Sequence, residues 1–255
     1  MTNGSIPTTG NLSDFEHSPS WRIFRIMSEF VEGFTFLANI ERSVTIFGSA
    51  RCPEDASYFQ QARELGRRLA ARGYAVVTGG GPGVMQAANQ GAREAGGQSI
   101  GLNIQLPKEQ RINPYVTEGM AFHYFFSRKV MLDFSAEAYV FFPGGFGTLD
   151  EFFELVTLVQ TGKVDSMAPI NIVGSDYWQP LVDWIEKALL AMFHTIAPED
   201  LNIWTLTDDI DEVVRLIEAG VNEQVAQRVA TQGREQRTPD DKLRRATRPM
   251  SGREQ

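Results

Sequence analysis

The sequence predicts a doubly wound, Rossmann-like α/β fold, a parallel sheet with helices on both faces. Three observations predict it. Short apolar runs rich in β-branched and aromatic residues recur along the chain, a glycine or polar turn follows each, and each turn opens a helical pattern. Strands that are apolar throughout, rather than alternating, are those buried on both sides, as in a parallel sheet between two helical layers. With 255 residues, 42% of them hydrophobic, the chain is long enough to bury one such core.

Residues 1–20 are rich in Ser, Thr, Asn, Gly and Pro, which predicts a disordered N-terminal tail. Over residues 21–40, Ile23, Ile26, Met27, Phe30, Val31, Phe34 and Leu37 recur in steps of three and four and paint one face of an amphipathic helix. That helix packs either on the domain or on a second subunit. Residues 41–224 carry the alternation itself. "SVTIFGSA" precedes "PEDASYFQQARELGRRLAARG", "YAVVTGGGPG" precedes "VMQAANQGAREAGG", and "QSIGLNI" precedes a loop and then "FHYFFSRKVMLDFS". "AYVFFPGG" leads to "TLDEFFELVTLVQTGK", "PINIVGS" to "YWQPLVDWIEKALLAMF", and "IWTLTD" to "DEVVRLIEAG". Residues 225–255 are charged and nearly free of large apolar side chains, which predicts a second disordered tail.

Composition excludes several classes of function. A net charge of −8 and a pI near 5.0 argue against a general nucleic-acid surface, while leaving room for a local basic pocket that takes one small phosphorylated ligand. The single cysteine, Cys52, rules out an internal disulfide framework and reads as a partly buried thiol. No Cys and His cluster has metal-ligand spacing. No run approaches eighteen apolar residues, and the polar start lacks the pattern of a secretory signal, so a cytoplasmic protein without membrane contact is expected.

In a doubly wound sheet, ligands bind beyond the carboxyl ends of the strands. Three turns lie at such ends. "FGSAR" offers Gly48 and Ser49, with Arg51 close behind; "TGGGPG" offers Gly80, Gly81 and Gly83; "PGGFGT" offers Gly144, Gly145, Gly147 and Thr148. Glycines expose backbone N–H groups, and a helix N-terminus favours an anion, so the last two turns are candidate phosphate cradles. Neither ends in the Gly-Lys-Ser/Thr of a nucleotide-hydrolysing P-loop, and the first turn lacks the dinucleotide fingerprint.

Glu151 follows Thr148 by three residues. Either the two form a reciprocal cap at the start of the helix, or the carboxylate acts on a sugar or water beside a bound phosphate. Arg128 and Lys129 lie on a helix whose apolar face is assigned to Phe125, Val130 and Phe134, which leaves both cations able to face a site.

"SRKVML" followed by "PGGFGTLDE" resembles the paired signatures of the Lonely Guy (LOG) family, the cytokinin riboside 5′-monophosphate phosphoribohydrolases, many of them once misannotated as lysine decarboxylases. The resemblance spans roughly Ser43 to Gly220. It implies hydrolysis of the N-glycosidic bond of a cytokinin riboside 5′-monophosphate or AMP, releasing free base and ribose 5-phosphate. It further implies that Arg128 and Glu151 are catalytic and that the glycines of both turns, with Thr148, hold the phosphate. Gly48, Ser49, Lys129 and Met131 are then substrate contacts, with Met131 equally readable as core filler, and Arg128 is expected to keep Glu151 ionised. No cofactor or metal is called for, and a homodimer or larger homo-oligomer is expected. Where small members read "MHERK", this chain reads "FFSRK", which leaves base preference open. The alternative is non-catalytic: one branch with this glycine motif carries molybdenum cofactor. A pyridoxal-phosphate decarboxylase ranks third, because Lys129 is the one lysine near the motifs.

Overall fold

The computed structural model describes residues 19–105, 112–163 and 168–235. Its centre is a seven-stranded, all-parallel sheet: β1 Ser43–Phe47, β2 Ala75–Thr78, β3 Ser99–Ile104, β4 Glu118–Phe122, β5 Ala138–Phe141, β6 Ile170–Ile172 and β7 Trp204–Leu206. The spatial order is β4-β3-β2-β1-β5-β6-β7. The chain therefore builds outward from β1 to one edge, returns to place β5 on the other flank of β1, and continues outward again. The crevice between β1 and β5 is the topological switch point.

The helices are α1 Pro19–Leu37, α2 Ser57–Ala71, α3 Val84–Glu94, α4 Phe125–Asp133, α5 Phe146–Gln160, α6 Ser175–Trp184 and α7 Ile210–Glu235. A π-helical stretch, Ile185–Met192, continues α6, and a 3-10 turn, Pro198–Asn202, precedes β7. Because side chains alternate across a strand, β1 sends Val44 and Ile46 to one face and Phe47 to the other. The first face packs on Phe59, Leu65 and Leu69 of α2, Val84 and Ala88 of α3, and Val213 and Ile217 of α7. The second packs on Met131 and Leu132 of α4, Phe152 and Leu155 of α5, and Trp178 of α6. Both faces are thus closed, which is why the strands carry almost no polar alternation.

Three departures from the sequence reading have plain causes. Strand β4 falls where a loop was expected: at the sheet edge it is mostly exposed and carries Gly119, so it lacks the apolar signature of an inner strand. Helix α1 docks by only part of its apolar stripe, Phe30 and Leu37, together with Glu29 and Gly33. The Glu29 carboxylate accepts the His123 N–H at 2.6 Å, near the start of α4, and Gly33 lies against Met131. Ile23, Met27, Val31 and Phe34 stay exposed. Helix α7 continues through Val225, where a tail was expected, to Glu235. The remaining residues of both expected tails, 1–18 and 236–255, lie outside the described residues.

Candidate active site

A cavity of about 400 Å³ opens at the crevice between β1 and β5. That size suits a small-molecule ligand. The turn after β1 contributes Gly48, Ser49, Ala50 and Arg51; Gly79 and Met85 come from the region after β2; α4 contributes Arg128 and Leu132. Gly145, Phe146, Gly147, Thr148 and Glu151 come from the start of α5. A hydrogen bond from the Ser49 N–H to the Pro143 carbonyl, 3.0 Å, laces the two sides of the crevice together.

Gly145 is the N-cap of α5, and no side chain caps it. Thr148 lies inside the helix, its N–H donating to the Gly145 carbonyl at 3.0 Å, so the reciprocal Thr148–Glu151 cap does not form; the positive end of the helix, at Phe146 and Gly147, lies in the cavity wall. Glu151 sits in the second turn rather than the first, and only 5% of it is exposed. Burial pushes its carboxyl up to about 7; the nearby Lys129 and Arg128 pull the other way without prevailing. Arg128 therefore does not hold Glu151 firmly ionised: its guanidinium is 3.9 Å away, beyond a hydrogen bond. Arg128 is itself desolvated, which lowers its pKa, and its Nε is buried without a partner, so it retains donors for a ligand.

The other expected contacts divide. Lys129 is outside the cavity lining: its ammonium is tied to Asp150 at 2.8 Å and Glu154 at 2.5 Å. Those ion pairs outweigh burial and raise its pKa. Met131 is wholly buried in the core and outside the cavity lining, in keeping with its reading as core filler. The reason is that α4 is rotated from the expected orientation. Its buried face is Ser127, Met131, Leu132 and Asp133, while Phe125 and Phe134 are exposed.

Gly80, Gly81 and Gly83 stand just behind the cavity. The Gly80 N–H already donates to Thr78 Oγ1 at 2.9 Å, and the Gly80 carbonyl accepts from the Asn113 N–H at 2.8 Å. The Gly81 carbonyl accepts from Asn113 Nδ2 at 3.0 Å. Gly83, at φ +69°, packs so closely on the turn after β1 that a Cβ would come 2.2 Å from the Ser49 carbonyl oxygen. Gly144 also lies outside the lining, and its carbonyl accepts the Tyr177 hydroxyl at 2.7 Å. Of the glycines in the two turns, Gly79, Gly145 and Gly147 line the cavity.

Two residues that sequence reasoning passed over belong to this region. Phe146, 92% exposed, stands at the mouth of the cavity; the variable position within "PGGFGT" was its signal. Asp133, 3% exposed, lies beneath Glu151, and an acid within the apolar run "VMLDF" was its signal. Cys52 is a half-buried thiol whose pKa burial raises, as suits a packing residue.

Fold and site together define an α/β protein with a pocket at the sheet's switch point. Residues 85–217 match the family model described as "Possible lysine decarboxylase". A cytokinin riboside 5′-monophosphate phosphoribohydrolase of Arabidopsis thaliana is 30% identical over 72% of this chain and 86% of its own. Its counterpart from Rhodococcoides fascians is 30% identical over 61% of this chain and 80% of its own. The chain belongs to this LOG family. A molybdenum cofactor carrier protein from Chlamydomonas reinhardtii shares the fold, with a TM-score of 0.54 at 20% identity over 71% of this chain and 99% of its own. Among the described residues no helix is long and apolar enough to cross a membrane.

Proposed function

We propose that the protein hydrolyses the N-glycosidic bond of a purine nucleoside 5′-monophosphate, a cytokinin riboside monophosphate or AMP, releasing the base and ribose 5-phosphate. One observation carries the reading: Glu151 and the unsatisfied guanidinium of Arg128 face the same cavity as the uncapped start of α5. The helix start binds the phosphate and so fixes the ribose. Binding energy at a group remote from the reacting bond then orients the anomeric carbon against Glu151. Cleavage develops positive charge on the sugar, which a carboxylate stabilises while it orients water, as carboxylates do in glycoside hydrolysis. A carboxyl poised near pH 7 can also exchange a proton at the operating pH. Arg128 contributes donors to the phosphate or a sugar hydroxyl.

Incubation with AMP and with isopentenyladenosine monophosphate, followed by chromatography for the freed bases, tests the reading. Base release from the monophosphates, much weaker release from adenosine, and a roughly hundredfold or greater fall in kcat for Glu151→Gln are expected. Turnover by Glu151→Gln close to that of the parent removes the proposed role. A pterin retained in stoichiometric amount through purification, without base release, supports a carrier instead. For the assembly, the exposed stripe Ile23, Phe24, Met27, Val31 and Phe34 of α1 supports self-association, which light scattering at the monomer mass would refute.

A further inference from the structure

Beneath Glu151, outside the cavity lining, lies a carboxyl group for which the proposed hydrolysis has no use. Asp133 ends α4 and is 3% exposed. One carboxylate oxygen each of Asp133, Glu151 and Glu154 lie within 4.8 Å of one another. Glu154 is held by Lys129 at 2.5 Å. Asp133 Oδ1, Glu151 Oε2 and Glu154 Oε2 are all buried without a hydrogen-bond partner, but only Glu154 Oε2 has an ammonium beside it. Two ionised carboxylates within 4.8 Å repel in a desolvated setting, whereas a carboxylic acid that closes to hydrogen-bond distance of a carboxylate satisfies both groups with one O–H donor.

The charges around the pair leave room for that proton. Helix α4 brings Arg128 and Lys129, α5 brings Asp150 and Glu154, and Arg51 lines the cavity from the turn after β1. Lys129 is spent on Asp150 and Glu154, and Arg128 stands 3.9 Å from Glu151. No cation is in contact with Asp133 among the described residues.

Resting on the hydrolase reading of the site, we propose that Asp133 is a positioning residue. It keeps a proton through neutral pH and donates it to Glu151 Oε2, leaving Oε1, the oxygen nearest Arg128, charged for the reaction. Burial first, then Glu154 and Glu151, push Asp133 up to about 8. Glu151 has the Arg128 guanidinium 3.9 Å away and Asp133, among the described residues, has no such ion pair, so the last proton of the pair stays on Asp133. Above about pH 8 Asp133 ionises, the hydrogen bond is lost, and a like charge faces Glu151.

Steady-state AMP hydrolysis by Asp133→Ala and Asp133→Asn, measured from about pH 5 to 10, tests this. Asp133→Ala lowers kcat about tenfold with KM nearly constant, because the donor to Glu151 is gone. Asp133→Asn, whose amide N–H replaces the O–H, restores most of that loss and abolishes the decline above about pH 8, because nothing remains to ionise. Equal losses in the two variants, or an alkaline decline that persists in Asp133→Asn, overturn the proposal. A second arm needs no turnover: at about pH 7.5, between the values of about 7 for Glu151 and about 8 for Asp133, infrared spectra of the parent contain a protonated-carboxyl carbonyl stretch that is much weaker in Asp133→Asn. A band of equal strength in both proteins overturns the proposal. If the parent frees no base from AMP, the hydrolase reading fails by itself, and the infrared arm still decides where the proton resides.

Discussion

After β2, Gly80 and Gly83 adopt φ values of +70° and +69°, and their turn is buried beneath Asn113 and against Ser49. After β5, Gly145 and Gly147 have open space where a Cβ would stand, and both line the cavity. As sequence the two turns look interchangeable. In the fold the first turn spends the Gly80 N–H and the Gly80 and Gly81 carbonyls on its own neighbours, and the second places Gly145 and Gly147 beside the cavity. Glycine is needed in the first turn for conformation and close approach, and in the second for access. A cradle is therefore recognised by where its N–H groups end, not by how many glycines it contains.

Substitutions can break or sharpen this contrast. Gly83→Ala forces a Cβ into the Ser49 carbonyl and strains a positive φ, so it should cost about 3 kcal/mol or more, read as a lowered denaturation midpoint. A value near zero would dissolve the distinction between the turns. Asn113→Ala strips the side-chain bonds to Gly81 and Asn89 and leaves buried groups unpaired, for a loss of about 1 to 3 kcal/mol in the same measurement.

The carboxyl floor under the second turn supplies the next effect. Glu151 and Asp133 are raised to about 7 and about 8, so between the unfolded value of about 4 and those values the folded chain holds protons that the unfolded chain has released. Their contribution to stability is complete below about pH 4 and is lost as pH climbs through about 7 and about 8. Asp133→Asn removes one share of that loss and should stabilise the protein by about 1 kcal/mol or more at pH 9 while changing little near pH 4, as denaturation at the two pH values would show. The smallest change in stability belongs to Gly147→Ala, within about 0.5 kcal/mol, because nothing lies within 4 Å of the new methyl. Its effect should fall on the monophosphate instead, as a rise in KM.

The layered fold was legible because strands buried on two sides are almost continuously apolar, as Val44–Phe47, interrupted by Thr45, and Tyr139–Phe141 are. Strand β4 was not legible, because an edge strand is wet and needs no such run. At the site, Arg128, Glu151, Gly145, Gly147 and Thr148 stood out through the paired motifs. Lys129 lies outside the cavity lining and Met131 takes the core-filling place that was its other reading, because periodicity on a nine-residue helix does not fix its rotation. Asp133 was hidden because its partners, Glu151 and Glu154, lie on another helix.

The hydrogen bond from Ser49 to Pro143 has a last consequence. It joins the ends of β1 and β5 before any ligand arrives, so the width of the crevice is decided by folding. The ordering entropy of these two loops is then already spent, and capture of a phosphate should proceed as lock-and-key docking, with small main-chain displacement and a preorganised electrostatic field.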